Sequence, residues 1–359
     1  MASTSGTPNA AMPTDRVSDR GVLMAAEIGH SSDVVRRQSE CIAQPLGELA
    51  ARLRQRPPTV VVTCARGSSA HAAEFGKHLI ERHLGIPVAS VAPSITTVYR
   101  KSLRLDRQLF LAISQSGRSD DLVETSLAAK TAGALTAAIV NETESPLASA
   151  CDVVISMGAG RELSVAATKT FIASLAALLR LVAAWAEDST LCAAVDRLPD
   201  RLDQAGKLDW SRALGALSAI SSLVTLGRGP TLAVAQEASL KLKEICNIHA
   251  EAYSGAEFQH GPIALVSRGY PVLVFMPGDE AAGNLAELAA DLSHKGATVL
   301  MTGDGCGTAL RLPVLLPDRP ETDAVCLIQT FYGLAIRLAT RRGTNIDRPN
   351  HLQKVTRTR

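Results

Sequence analysis

The run Thr59-Val60-Val61-Val62-Thr63, followed by Cys64-Ala65-Arg66-Gly67-Ser68-Ser69, decides the fold. A continuous β-branched stretch without polar alternation reads as a strand buried on both faces, the kind found in parallel sheets. It stops at a glycine-containing turn, after which apolar residues recur at helical spacing. The same plan returns at Ser222-Leu223-Val224-Thr225-Leu226 and Gly227-Arg228-Gly229-Pro230-Thr231, which aligns Arg66-Gly67 with Arg228-Gly229 at an offset of 162 positions. One Arg-Gly match could be coincidence, but the spacing is kept further on. Leu109 to Ile113 opens on Ser114-Gln115-Ser116-Gly117-Arg118-Ser119, and Val272 to Met276 opens on Pro277-Gly278-Asp279. Lys130 to Val140 then matches Ser293 to Met301 as a helix end followed by a strand. Two tandem α/β domains arising from a duplication follow.

Strands alternating with helices imply right-handed crossovers and a mainly parallel sheet covered on both faces, a three-layer αβα sandwich in each half. Ligands in such sheets bind beyond the carboxyl ends of the strands, where both Ser-rich turns fall. The expected layout is a disordered tail over 1–20, one domain over 30–187, a second over 203–343 and a C-terminal tail over 344–359. A helix over Val34 to Gln55 should cross the first sheet, and Ala186 to Asp209 should join the halves.

Composition narrows the function. A chain of 359 residues with 46% apolar content can bury two cores, and with aromatics at 3% those cores must be built from Ala, Leu, Val and Ile. The net charge of +2 arises from 37 basic and 35 acidic side chains spread along the chain, which gives no electrostatic case for nucleic acid or an anionic membrane. Seven cysteines without a CxxC pair indicate neither a disulfide framework nor a zinc site, so reduced thiols in a cytoplasm are the simplest reading. The N-terminal twenty residues lack the apolar core of a signal peptide. The most apolar stretch, Phe171 to Trp185, is interrupted by Arg180 and is shorter than the roughly 20 residues a bilayer needs.

The turn Ser114-Gln115-Ser116-Gly117-Arg118-Ser119 places three hydroxyls and a glycine between a buried strand and a helix start, where free N–H groups and the helix dipole favour an anion. An ordinary Ser-rich helix cap has the same composition. Arg66-Gly67-Ser68-Ser69 repeats the design on another strand, which favours a shared anion pocket. No GxGxxG follows a strand and no GxxxxGK[ST] occurs, so a nucleotide cofactor is disfavoured and a sugar phosphate is the simpler ligand. Glu237, Lys241 and Glu244 fall at i, i+4 and i+7 on one helix face, either a solvated stripe of ion pairs or a proton-transfer set. Beyond them, His260-Gly261-Pro262 holds an imidazole in a loop. Glu162, ahead of the hydroxyl-bearing Ser164 to Thr170, suits either a substrate contact or a helix cap.

Taken in order, Ser114-Gln115-Ser116-Gly117, Ser164-Val165-Ala166-Ala167-Thr168-Lys169, Leu240-Lys241-Leu242-Lys243-Glu244, His249-Ala250-Glu251-Ala252 and His260-Gly261-Pro262 resemble the sugar isomerase (SIS) domain family. The likeness is to the isomerase half of glucosamine-6-phosphate synthase and especially to the SIS-type glucosamine-6-phosphate deaminases. Asn345-Ile346-Asp347-Arg348-Pro349 and Leu352 to Thr356 extend it to the carboxyl end. The resemblance implies phosphate binding by Ser114, Gln115, Ser116 and Ser119, assisted by the turn of Arg66, Gly67, Ser68 and Ser69, with Val165, Ala167 and Glu237 also lining the substrate site. It implies that Glu244 moves a proton between C1 and C2, that His260 opens the sugar ring, that Lys241 lies close to the reacting end, and that Lys354 corresponds to the lysine that forms a Schiff base. It implies a homodimer in which the His260 loop reaches the neighbouring subunit's site, and it calls for no metal or other cofactor.

Interconverting an aldose and a ketose suits this set, since a carboxylate in a dry pocket can carry a proton from one carbon to the next and a histidine can act at the ring oxygen. Departures from the synthase pattern are Ala167 in place of a serine, Arg118 in place of an acidic residue, and Met1-Ala2 in place of a cysteine nucleophile, from which glutamine hydrolysis is expected to be absent. The expected activity is conversion of glucosamine 6-phosphate to fructose 6-phosphate and ammonia. Alternatives are action on galactosamine 6-phosphate or a fructosamine 6-phosphate, ammonia-dependent formation of glucosamine 6-phosphate, and a non-catalytic phosphosugar-binding regulator.

Overall fold

The computed structural model describes residues 21–304 and 307–354. The segment 1–20, expected to be a disordered tail, lies outside these residues, as do residues 355–359 of the expected C-terminal tail. The first sheet contains β1 (Val61–Ala65), β2 (Val88–Ser90), β3 (Leu109–Ser114), β4 (Leu135–Val140) and β5 (Val153–Ser156), in the order β2-β1-β3-β4-β5. The second contains β6 (Ser222–Gly227), β7 (His249–Ser254), β8 (Pro271–Val274), β9 (Thr298–Thr302) and β10 (Leu310–Leu312), in the order β7-β6-β8-β9-β10. Every neighbouring pair is parallel. Both halves therefore share the 2-1-3-4-5 order, which reverses direction between the first and third strands and opens a crevice there.

The duplication reaches the strand register. Val62 faces Ala89 on one side and Phe110 on the other, while Val224, 162 positions on, faces Glu251 and Val272. The helices after the first strands also superpose in sequence, Ser68–Leu84 and Pro230–Cys246, each of 17 residues. Strand β1 begins two residues later than the β-branched run suggests. The N–H groups of Thr59 and Val60 donate to Gln108 Oε1, both at 3.0 Å, rather than to a strand neighbour.

Alternation along the buried strands creates three layers in each half. Leu109, Leu111 and Ile113 point into a central core, while Phe110 and Ala112 point into a separate one on the opposite face. Likewise Leu273 faces the central core and Val272 and Val274 an outer one. The central core draws on both halves and joins them.

The helix Ser31–Gln55 begins slightly earlier than expected and packs on the helix Lys169–Ala186, where Gln38 Nε2 donates to the carbonyls of Met157 and Ala173. By length and composition Lys169–Ala186 could cross a membrane, but 83% of it is buried inside the protein. The joining stretch between the halves is mostly helical, Ser189–Ala205, and is capped by Asp188 accepting from the N–H groups of Thr190 and Leu191. It tolerates Pro199 and lies against Ser31–Gln55 and the long C-terminal helix Pro320–Arg342.

Candidate active site

At the carboxyl ends of β1 and β3, the two hydroxyl-bearing turns meet in a cleft of about 360 Å³. Arg66, Gly67, Ser68 and Ser69 form one wall and Ser114, Gln115, Ser116 and Ser119 another. Val165 and Ala167 contribute from the loop after β5, Glu244 from the helix Pro230–Cys246, and Lys354 from the C-terminal tail.

Close packing fixes the Ser114–Ser119 turn. Gly117 has φ of 61°, and a Cβ there would lie 2.0 Å from Ser145 Oγ, so only glycine fits. Its N–H donates to Ser114 Oγ at 3.1 Å, and its carbonyl accepts from Leu147 N at 3.1 Å. Ser119 sits at the N-cap of the helix Asp120–Thr131 but makes no side-chain capping bond. Its hydroxyl is not spent on the helix end, which distinguishes the turn from an ordinary cap. Arg66 donates from Nε and Nη2 to Asp121 Oδ2, at 3.1 and 2.8 Å, so a buried carboxylate is paired with a residue that lines the cleft.

Beneath the cleft is a buried charged chain. Glu237 and Lys241 are both fully buried, with Lys241 Nζ 3.4 Å from Glu237 Oε1 and also paired with Glu244. Glu237 accepts from Ser68 Oγ at 3.0 Å and Tyr332 OH at 3.3 Å, and its second oxygen is 2.9 Å from His71 Nδ1. Burial opposes ionisation of Glu237, yet the Lys241 ammonium and the bonds from His71 and Ser68 hold its carboxyl below the ordinary range. Burial also works against a charged Lys241, and the two carboxylates overcome it and raise its pKa. Burial pushes the Tyr332 phenol well up, so it stays a donor. The Glu237, Lys241, Glu244 face is therefore an internal charged network and not a solvated stripe. Glu237 lies under the cleft, outside its lining.

The tail and the loop after β5 close the remaining side. Lys354 Nζ is 2.7 Å from Glu162 Oε2 and donates to the Ser164 carbonyl at 2.8 Å. Glu162 also accepts from Thr168 N, Thr170 N and Thr170 Oγ1, which orders the loop carrying Val165 and Ala167. Val165 N donates to the Asp347 carbonyl at 3.0 Å, and the Asp347 carboxylate accepts from the N–H groups of Gly21 and Met24, tying the segments around Gly21 and Asp347 to this loop. From the helix Val22–Gly29, Glu27 accepts from the backbone of Leu163 and Ser164.

His260 is exposed just after the short helix Gly255–Phe258 and does not line this chain's cleft. The other residues expected to act are together. His71, Asp121, Glu27 and Tyr332 were not singled out by sequence reasoning. His71 had a signal, being three residues after Ser68 on the same helix face, and Asp121 follows Ser119 by two. Tyr332 and Glu27 had none, because they arrive from the far ends of the chain.

A repeated parallel α/β fold with an anion cleft at the switch point of one repeat, and a carboxylate, an ammonium and hydroxyls around it, defines a class of phosphosugar-handling protein. The SIS domain family model matches residues 57–184 and 216–322, and the chain belongs to that family. It is 35% identical over 329 residues to glutamine–fructose-6-phosphate aminotransferase (isomerizing) of Symbiobacterium thermophilum, covering 86% of this chain and 53% of the relative. The chain thus spans about half the length of the curated relatives it matches. A solved structure from Silicibacter pomeroyi DSS-3, provisionally assigned as a phosphosugar isomerase, is 46% identical with a TM-score of 0.87, covering 90% of this chain and 99% of that one. Glucosamine-6-phosphate deaminase of Thermotoga maritima is 25% identical with a TM-score of 0.71, covering 93% and 99%.

Proposed function

We propose that this protein is an aminosugar-phosphate isomerase and deaminase that converts glucosamine 6-phosphate and water to fructose 6-phosphate and ammonia. The observation that carries the reading is the placement of Glu244 in the same cleft as both hydroxyl turns, with Lys354 on the facing tail. The phosphate is held by the Ser114–Ser119 turn, with Ser69 and the Arg66–Ser68 backbone beside it. His260 of a second copy in a homodimer assists opening of the ring. Glu244 takes the proton from C2 of the open-chain aldehyde and delivers it to C1 while a proton passes from the amine nitrogen to O1, so that C1 becomes a hydroxymethyl carbon and C2 an imine. Water adds to that imine, the C2–N bond breaks, and ammonia leaves with the ketone formed. A carboxylate paired with a buried ammonium is suited to this task because the pairing holds it in a fixed position at the cleft. The reaction belongs to amino-sugar metabolism.

The kinship with aminotransferases named for fructose 6-phosphate favours a second reading, the same proton transfer run from fructose 6-phosphate and ammonia toward glucosamine 6-phosphate. One experiment addresses both. Purified protein incubated with glucosamine 6-phosphate should release ammonia and fructose 6-phosphate in equal amounts, and Glu244→Gln should lose turnover while retaining phosphosugar binding by calorimetry. Formation of glucosamine 6-phosphate from fructose 6-phosphate and ammonium, exceeding the forward rate under matched conditions, would select the second reading. Undiminished turnover by Glu244→Gln would remove the proton-transfer role. Galactosamine 6-phosphate and a fructosamine 6-phosphate, run in the same assay, identify the preferred sugar.

A further inference from the structure

The helix Ser68–Leu84 carries the phosphate turn at its start, and one turn in it carries His71, which is 22% exposed at the side chain and directed at Glu237. Both Glu237 oxygens are engaged. Oε1 meets Ser68, Tyr332 and Lys241, whereas His71 is the side chain that serves Oε2. Lys241 stands between this carboxylate and Glu244. A single buried ammonium shared by two carboxylates divides its attraction according to how well each is otherwise satisfied, and the low dielectric around it magnifies any imbalance.

We propose that His71 is a positioning residue for Glu244, acting through Glu237 and Lys241 by holding the second oxygen of Glu237; the proposal rests on Glu244 being the proton-transferring base. Without the His71 donor, Glu237 Oε2 is left buried and unserved, and Lys241 is drawn toward it. Glu244 then loses part of its cationic neighbour. The sign follows directly: less positive charge nearby disfavours the carboxylate, so the proton affinity of Glu244 rises and the acid limb of the rate profile moves to higher pH. The other charged and titratable groups facing this set are Tyr332 from the C-terminal helix, Arg66 with Asp121 across the cleft, and Lys354 with Glu162 from the tail and loop. His71 pairs with Glu237 and with none of these groups.

The test compares His71→Leu, which fills the space without a donor, with His71→Asn, whose amide nitrogen falls where Nδ1 does. With glucosamine 6-phosphate, His71→Leu should lose about tenfold or more in kcat with KM within about twofold, and its acid limb should move up by about one pH unit. His71→Asn should recover most of the rate and the wild-type limb. An equal defect in both variants with an unmoved limb, or a His71→Leu enzyme with wild-type kcat, would overturn the proposal. A readout independent of turnover separates it from the functional reading. In glutamate-labelled protein, the carboxyl ¹³C resonance assigned to Glu244 by its loss in Glu244→Gln should titrate higher in His71→Leu than in wild type. That shift in a protein with no aminosugar turnover would reject the activity and keep the positioning role; its absence in an active enzyme would reject the positioning role alone.

Discussion

Gly67 and Gly229, 162 residues apart, hold the same backbone conformation, φ 54° and ψ −134° in one and φ 57° and ψ −131° in the other. Each ends the first strand of its half and starts a 17-residue helix, and each helix closes on a left-handed residue at the matching position, Gly85 and Asn247. This combination of positive φ and strongly negative ψ is open to glycine and costly to any other residue. The duplicated turn is thus a conserved geometric device within one chain, although only the first copy borders the serine-lined cleft.

Replacement by alanine should separate geometry from function. Gly67→Ala meets no atom within 4 Å, so its penalty is backbone strain of about 1–3 kcal/mol, read as a lower midpoint in urea. Because the strain falls on the turn proposed to hold the phosphate, KM should rise as well. Gly229→Ala carries the same strain and also brings its Cβ to 3.3 Å from Asp279 Oδ2, yet it should leave KM unchanged. A similar KM change in both would show that the two turns are not functionally distinct.

The repeat explains how far the fold could be read from the chain. Buried β-branched runs and a constant offset locate strands, helices and even the register, because backbone pairing leaves little freedom once both sheet faces are covered. The chemistry does not repeat. At the offset of 162, Glu237, Lys241 and Glu244 answer to Phe75, Leu79 and Arg82, so the same helical face is charged in one half and mainly apolar in the other. Arg82, from the first half, instead reaches across to the second and donates to Asp279 and Glu280 in the turn after β8. Helical spacing shows that Glu237 and Lys241 share a face, but whether that face meets water or a neighbouring helix is decided by tertiary packing. For this reason their burial, and the part played by Tyr332, were hidden in the sequence.

Lys241→Met should be severely destabilising, by about 3–5 kcal/mol at neutral pH, because it strands Glu237 as a buried carboxylate without its cation. Adding Glu237→Leu should restore much of that loss. The pH dependence has a definite sign. The lowered Glu237 pKa contributes stability above the unfolded carboxyl value of about 4.3 that is lost as pH falls through the folded value. The raised Lys241 pKa contributes stability below about 10.4 that is lost as pH rises. The difference between wild type and Lys241→Met in urea should accordingly be widest between about pH 5 and 10 and shrink on the acid side.

Buried thiols set a second limit. Burial pushes Cys64, Cys246 and Cys326 up to about 12 and Cys151 up to about 11, against about 8.5 in an unfolded chain. Above pH 8.5 the unfolded chain ionises these thiols and the folded one does not. Stability should fall with rising pH by roughly 1.4 kcal/mol per pH unit for each such thiol, until the folded value is reached. Alkylation at pH 8 followed by peptide mapping should modify the exposed Cys41 and Cys192 and spare these four until the protein unfolds. Prompt labelling of Cys64 or Cys326 would contradict their burial.

Lys354 offers the most direct chemical test of the tail. Its Nζ is held by Glu162 and the Ser164 carbonyl while Lys354 lines the cleft together with its neighbours Leu352 and Gln353, so the amine borders the cleft but is engaged by a carboxylate. Attack on a ketone carbonyl requires loss of a proton and release from Glu162. With fructose 6-phosphate and borohydride, the imine formed by that attack should be reduced to a stable secondary amine on the Lys354 peptide, with yield increasing from pH 6 to pH 8. Lys354→Met should abolish the adduct. Glu162→Gln, which keeps an acceptor for Thr168 and Thr170 but removes the counter-charge, should give more adduct at the lower pH. An active enzyme that yields no adduct on this peptide would limit Lys354 to electrostatic contact with the substrate.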